Sequence, residues 1–86
     1  MRQTFLLGRQ ELITEPVPMG ELQRGDVFVS EQTAQGRAVY RVTQPCSENE
    51  QGWLFVIDAR DPDSEGGFFS YPHTTPMNKV IKIREV

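Results

Sequence analysis

The sequence has one cysteine, one histidine and one tryptophan among its 86 residues. A single cysteine, Cys46, cannot form an internal disulfide, and it fits a reducing compartment. One cysteine with one histidine is also too small a ligand set for a structural zinc site within one chain. The apolar run near the N-terminus, Phe5-Leu6-Leu7, is too short for a signal peptide or a membrane span. We therefore expect a cytoplasmic protein without a membrane segment, a metal or a cofactor.

The chain also lacks an excess of positive charge. Nine Lys and Arg residues against twelve Asp and Glu residues give a net charge of −3 and a pI near 5.0. A protein that holds nucleic acid mainly by neutralising phosphates is usually more basic. A local basic face could still form from cations in predicted strands, although alternate solvent-facing residues are the simpler interpretation. These cations are Arg37, Arg41, Lys79, Lys82 and Arg84.

The motifs of common enzymes are missing. The chain contains no G-x-x-x-x-G-K, G-x-G-x-x-G, H-E-x-x-H or G-x-S-x-G sequence. Cys46 and His73 are the only candidates for a nucleophilic Cys–His pair, and nothing in the sequence requires these two loop residues to meet. We therefore expect a protein that is not an enzyme.

What the chain does have is frequent Gly and Pro separating short β-rich segments. The predicted strands are residues 27–30, 37–44, 53–60, 68–72 and 79–86, preceded by candidate strands at 4–7 and 11–14. Five or six strands joined mostly by tight loops predict an all-β fold, a small antiparallel barrel, because curling a sheet removes its edges. Residues 1–86 form one domain in this interpretation, with residues 1–20 as extra strands or as an N-terminal arm.

Strand patterns predict which side chains face inward. Residues 37–44 alternate, with Tyr40 and Val42 on one face. The five apolar residues that begin with Trp53 predict a strand at least partly covered on both faces. Ile81 and Ile83 are expected to point inward, and the Pro16–Pro18 pair predicts extended backbone that is not a central strand.

Two polar segments are interpreted as turns. In "GELQRGDVFVSE", Gly25 gives the backbone freedom for a tight turn, and Asp26 accepts backbone N–H groups of that turn, so the pair begins a strand. Asp61, Asp63 and Glu65, followed by Gly66, resemble the start of an EF-hand loop. The twelfth position is Pro72 instead of the required Glu, which favours a turn whose Asp and Ser side chains cap their own backbone.

Aromatic residues provide the remaining indication of function. Phe68 and Phe69 are adjacent, and adjacent strand residues point to opposite faces, so one of them, or one of Trp53 and Leu54, is expected to be exposed. An exposed ring suits a protein partner or a stacked base, although the preferred interpretation is a ring covered by the N-terminal segment. The candidate binding residues are Trp53, Phe68, Phe69, Tyr71, Arg37, Arg41, Lys82 and Arg84.

A pattern across residues 17–84 resembles small SH3-like β-barrel domains of bacterial and phage-encoded proteins. It consists of Leu22-x-x-Gly25-Asp26-Val27-Phe28, Tyr40-x-Val42 and Val80-x-x-Ile83. The resemblance implies a barrel used for binding, without catalytic residues, and a phage or mobile-element origin.

The leading hypothesis is therefore a non-catalytic protein-binding module, such as an accessory or regulator of a phage or mobile element. The first alternative is a nucleic-acid-binding barrel that uses the basic strand residues with Trp53 or Tyr71. The second is a structural homo-oligomer that pairs through an open sheet edge.

Overall fold

The structure, a computed structural model, describes residues 2–33, 36–46, 51–61 and 63–85, and the side chains at 31–33, 36–37 and 51 lie outside that description. The described part of the chain is all-β. Seven strands and one 3₁₀ turn, Met19–Glu21, follow the chain. The strands are β1 (Gln3–Leu7), β2 (Gln10–Pro18), β3 (Val27–Thr33), β4 (Gly36–Gln44), β5 (Gln51–Asp58), β6 (Gly67–Pro72) and β7 (Pro76–Glu85).

All seven strands belong to one antiparallel sheet that curls into a half-barrel. Their order is β1-β2-β7-β3-β4-β5-β6, so β1 and β6 are the outermost strands. The prediction of an all-β antiparallel fold is confirmed. The fold is barrel-like, as predicted, but it has seven strands instead of five or six because β1 and β2 both join the sheet, and the described strands form a half-barrel with two outer strands.

The N-terminal residues form extra strands of this sheet. A turn at Gly8 joins β1 to β2, and β2 pairs with β7 from Gln10 to Pro18. Pairing with β1 ends where Gln3 meets Thr14, so Pro16 and Pro18 lie beyond the reach of β1. Proline lacks an N–H donor and is tolerated where one side of a strand is unpaired. The extended conformation predicted for this Pro-rich segment is confirmed.

The Gly25-Asp26 turn begins β3 as the sequence predicted. Gly25 has a φ of +93°, and the Asp26 carboxylate accepts a hydrogen bond from the Gln23 backbone N–H at 2.8 Å. Two backbone hydrogen bonds fasten the turn to β4: the N–H of Gly25 donates to the carbonyl of Val42, and the N–H of Val42 donates to the carbonyl of Asp26.

Two apolar clusters lie on opposite faces of β3 and β4. Phe28 and Val42 face the inner core of the half-barrel, which is completed by Met19, Leu22, Leu54, Val56 and Met77. Val29 and Val39 face the other way and pack with Phe5 and Leu12 from the N-terminal strands. Because adjacent strand residues point to opposite faces, β1 and β2 cover part of the outer face and leave the rest of it open.

The end of the chain differs from the sequence-based prediction. Ile81 and Ile83 were predicted to point inward, yet 39% and 52% of their surfaces are exposed. Ile13 pairs with Lys82 and Thr14 with Val80, so Ile81 is the extra residue of a β-bulge. The described pairing of β7 with β3 ends at Lys79, so β3 does not extend alongside Ile83. The connection from β6 is also shorter than predicted, since β7 already begins at Pro76.

Candidate binding surface

β5 and β6 each bury one face and expose the other. On β5, Leu54 and Val56 are buried, whereas Trp53 is 47% exposed and Phe55 is 38% exposed. On β6, Phe68 is 56% exposed and Phe69 packs against the inner core. The prediction that one of Phe68 and Phe69, or one of Trp53 and Leu54, is exposed is confirmed. The five-residue apolar run of β5 is well covered on its inner face only.

Trp53, Phe55 and Phe68 form one continuous surface, here called the aromatic patch. Phe55 pairs directly with Phe68 across the two strands, and their ring centroids lie 6.2 Å apart. Trp53 lies diagonally across from Phe68, with the centroids 4.9 Å apart and the rings tilted by 33°. These distances are typical of interacting aromatic rings. Sequence reasoning omitted Phe55 from the candidate residues, although its two-residue spacing from Trp53 places both rings on one face.

The other two candidate rings belong to the inner face. Phe69 contacts Phe28 and Tyr40 edge-on, with centroids 5.6 and 5.3 Å away. Tyr71 stacks on Phe69 at the rim, with 37% of its surface exposed. The interpretation that the N-terminal segment covers the exposed ring is wrong, because β1 and β2 lie at the opposite end of the strand order.

The predicted basic residues do not gather into one face. Lys79 lies 3.6 Å from the Asp26 carboxylate, and Arg84 donates a 2.7 Å hydrogen bond to Glu11. Arg41 lies on β4 opposite Ile57, and Lys82 lies on β7 opposite Ile13, so another strand, β3, separates them. Arg37 is the second residue of β4, and its side chain lies outside the described part of the chain.

The acidic loop, residues 59–66, connects β5 to β6 at one end of the aromatic patch. The Asp61 carboxylate accepts the N–H of Asp63 at 2.9 Å, and the Ser64 hydroxyl accepts the N–H of Gly66 at 3.2 Å. The prediction of a turn that caps its own backbone is confirmed. An ideal Cβ on Gly66 would lie 3.6 Å from Ile57 Cγ2, so the loop returns against a residue on the same face as the patch.

Cys46 and His73 meet at Gly52, which the sequence did not reveal. An ideal Cβ on Gly52 would overlap Cys46 Sγ and would lie 3.0 Å from His73 Nε2. That nitrogen is buried and has no hydrogen-bond partner among the described residues. Burial raises the pKa of the Cys46 thiol above its ordinary value, whereas a nucleophilic cysteine needs a lowered pKa. Proximity alone therefore does not make this pair a catalytic one.

A groove of about 170 Å³ lies on the inner side of β6. Phe69 and Tyr71 line it from β6. Residues 29–30 line it from β3, Thr75 lines it from the turn between β6 and β7, and residues 76–78 line it from β7. Among the described residues none of β4 or β5 lines it, so the groove lies on the side of β6 that faces away from β5.

Comparisons with protein-family models, curated proteins and solved structures find no match to this chain. Among the residues that the structure describes, no three His, Cys, Asp or Glu side chains are grouped so that they could hold a metal ion. The described residues also include no helix of sufficient length and apolarity to cross a membrane.

Proposed function

We propose that this protein is a non-catalytic protein-binding module and that the aromatic patch is its contact surface. The observation that supports the proposal is the exposure of three contacting rings, Trp53, Phe55 and Phe68, on one face of a paired β-hairpin. Aromatic side chains give a large contact area at a small cost in conformational entropy, and they are enriched in the buried centres of protein interfaces. The inner core holds the hairpin from behind through Leu54 and Val56.

The ion pairs of the predicted basic residues favour a protein partner over nucleic acid. Two of the five predicted phosphate-binding cations, Lys79 and Arg84, have a carboxylate partner within 4 Å, and the chain as a whole is acidic. Such exposed pairs contribute little stability, but each places a negative charge where a phosphate would have to bind. The implied relation to SH3-like phage or mobile-element regulators stays a prediction, and it is compatible with a binding role.

The test compares a tagged wild-type protein with two single variants in pull-downs read by mass spectrometry, with and without nuclease. Phe68→Ser removes the central ring of the patch. Leu6→Ser is the matched control, because Leu6 is an apolar residue on β1 with 63% of its surface exposed. We expect a nuclease-resistant partner that binds the wild type and Leu6→Ser and is lost from Phe68→Ser.

Two outcomes would instead favour the alternative functions. Partners that vanish with nuclease would favour the nucleic-acid-binding barrel. A mass above that of the monomer that reverts in Phe68→Ser, with no other protein bound, would favour the homo-oligomer. Equal partner recovery by all three proteins would remove the patch as the contact surface.

A further inference from the structure

β6 is an outermost strand with little protection against further strand pairing. It pairs with β5 alone among the described strands, and its sequence, GFFSYP, contains no charged residue. Proteins usually blunt such edges with charged side chains, prolines, bulges or covering segments, since an open edge is a template for another strand. Pro72, at the end of β6, is the one such feature within this strand.

The surroundings of this edge are negatively charged. Residues 61–78 include three carboxylates, Asp61, Asp63 and Glu65, and contain neither lysine nor arginine. All three acidic residues are exposed. Arg60, a cation at the start of the acidic loop, forms an ion pair with Asp58 at the end of β5.

Among the described side chains, the nearest cation on the patch face is Arg41, which is too distant to offset this charge. It lies on β4, and β4 is separated from the free edge of β6 by β5. Neighbouring strands are about 4.8 Å apart, so a strand added to β6 would run about 14 Å from β4. That distance exceeds the Debye length of about 8 Å at physiological salt, so the charge of Arg41 is largely screened at this edge.

Both faces of an added strand would meet a surface suited to side chains. Alternate residues of a strand point to opposite faces. One set would lie beside Phe68 on the aromatic patch, and the other would lie over the groove lined by Phe69 and Tyr71. Strand addition therefore uses the edge, the patch and the groove together.

We propose that the partner binds through an extended basic segment that adds to the free edge of β6 and places its cations toward the acidic loop. This inference rests on the proposed protein-binding function and specifies the partner's chemistry. Backbone hydrogen bonds supply affinity in this mode of recognition, and alternate side chains supply specificity. Apolar side chains on one face of the segment cover the rings of the aromatic patch.

The sole tryptophan makes the experiment direct, because Trp53 lies in the patch and its fluorescence reports on whatever covers it. Three ten-residue peptides are titrated: alternating Lys and Val, alternating Glu and Val, and the Lys–Val peptide with every peptide nitrogen methylated. A single-stranded oligonucleotide, dT10, is the fourth probe. We expect the Lys–Val peptide to change the Trp53 emission and to bind at least about tenfold more tightly than each of the other probes.

The acidic loop is tested by charge removal. In Asp61→Asn/Asp63→Asn/Glu65→Gln the amide at position 61 keeps an oxygen acceptor for the N–H of Asp63, so the turn is preserved. Binding of the Lys–Val peptide should weaken about tenfold in this variant. A salt titration of the wild-type protein tests the same charge without a variant. Raising the salt from 50 to 300 mM should weaken binding of the Lys–Val peptide by a similar factor.

Several outcomes would overturn the inference. Equal binding of the Glu–Val peptide would refute the charge preference, and equal binding of the N-methylated peptide would refute strand addition. Tighter binding of dT10 would refute a protein partner. If no probe changes the Trp53 emission while Phe68→Ser still loses its pull-down partner, the patch function stands and the basic segment is wrong. If Phe68→Ser retains every partner, the proposed function itself fails.

Discussion

The sulfur of Cys46 occupies the space that a side chain on Gly52 would need. An ideal Cβ on Gly52 would overlap Cys46 Sγ, and the His73 ring closes the same space, with Cδ2 at 2.9 Å and Nε2 at 3.0 Å. Gly52 is buried in β5, where glycine is otherwise unfavourable because it loses more backbone entropy than other residues. Its presence there is explained by the close approach of these two loop residues.

We expect Gly52→Ala to lower the free energy of unfolding by about 1–3 kcal/mol, because the added methyl group forces Cys46 or His73 to move. Thermal unfolding followed by circular dichroism measures the change. Its control is the same substitution in a Cys46→Ala background, where the sulfur is absent. The cost should fall there without vanishing, because His73 remains close. An equal cost in both backgrounds would show that the sulfur is not what excludes the side chain.

Gly25 is constrained for a different reason, and its substitution separates backbone strain from crowding. Its φ of +93° is unfavourable for other residues, whereas no atom lies within 4 Å of an ideal Cβ. We expect Gly25→Ala to cost about 1–2 kcal/mol, or a fall in Tm of several degrees for a chain of this size. Gly67→Ala is the matched control, since that position is equally open and its φ is not positive. A similar fall in Tm for both variants would contradict the role of φ.

The features that the sequence predicted correctly are local. The Gly25-Asp26 turn follows from the chemistry of two neighbouring residues, and the opposite exposure of Phe68 and Phe69 follows from strand geometry. Neither prediction requires knowledge of which strands are neighbours. The same holds for the acidic loop, whose side chains bond to backbone groups two residues away.

The features that were missed depend on long-range pairing. The inward direction predicted for Ile81 and Ile83 failed because a β-bulge interrupts the pairing of β7 with β2, and because β7 pairs with β3 at Lys79 but not beyond it. The meeting of Cys46 with His73 depends on the turns after β4 and β6 converging on Gly52. A pattern of single residues carries neither kind of information.

The inner core and the aromatic patch should respond differently to the same substitution. Phe28 is fully buried, and its ring centroid lies 5.8 Å from that of Tyr40 and 5.6 Å from that of Phe69. We expect Phe28→Leu to lower the free energy of unfolding by about 1–1.5 kcal/mol, since the replacement loses ring contacts and fills the space imperfectly. Urea unfolding measures it.

Phe68→Leu is the matched control for this substitution, because Phe68 is more than half exposed. Its effect on stability should stay within about 0.5 kcal/mol, as for most surface substitutions. A cost as large as that of Phe28→Leu would mean that Phe68 supports the fold, and a loss of binding in Phe68 variants would then report on folding.

The last prediction concerns the reactivity of Cys46. Burial raises the pKa of its thiol, so at pH 8 a smaller fraction is thiolate than in a free cysteine. Iodoacetamide reacts with the thiolate, and we expect the midpoint of its rate-against-pH profile to lie above that of N-acetylcysteine. The midpoint, in contrast to the absolute rate, is independent of how easily the reagent reaches the sulfur.

Unfolding the protein in urea is the control, and it should return the midpoint to the ordinary value. The raised pKa of Cys46 also links the stability of the fold to pH. Because the pKa of the thiol is higher in the folded protein than in the unfolded chain, the stability that the neutral thiol contributes is fully present below the unfolded pKa and is lost as the pH rises through the folded pKa. A midpoint below that of N-acetylcysteine would instead identify a thiol activated beside His73, and the classification as a non-catalytic module would have to be abandoned.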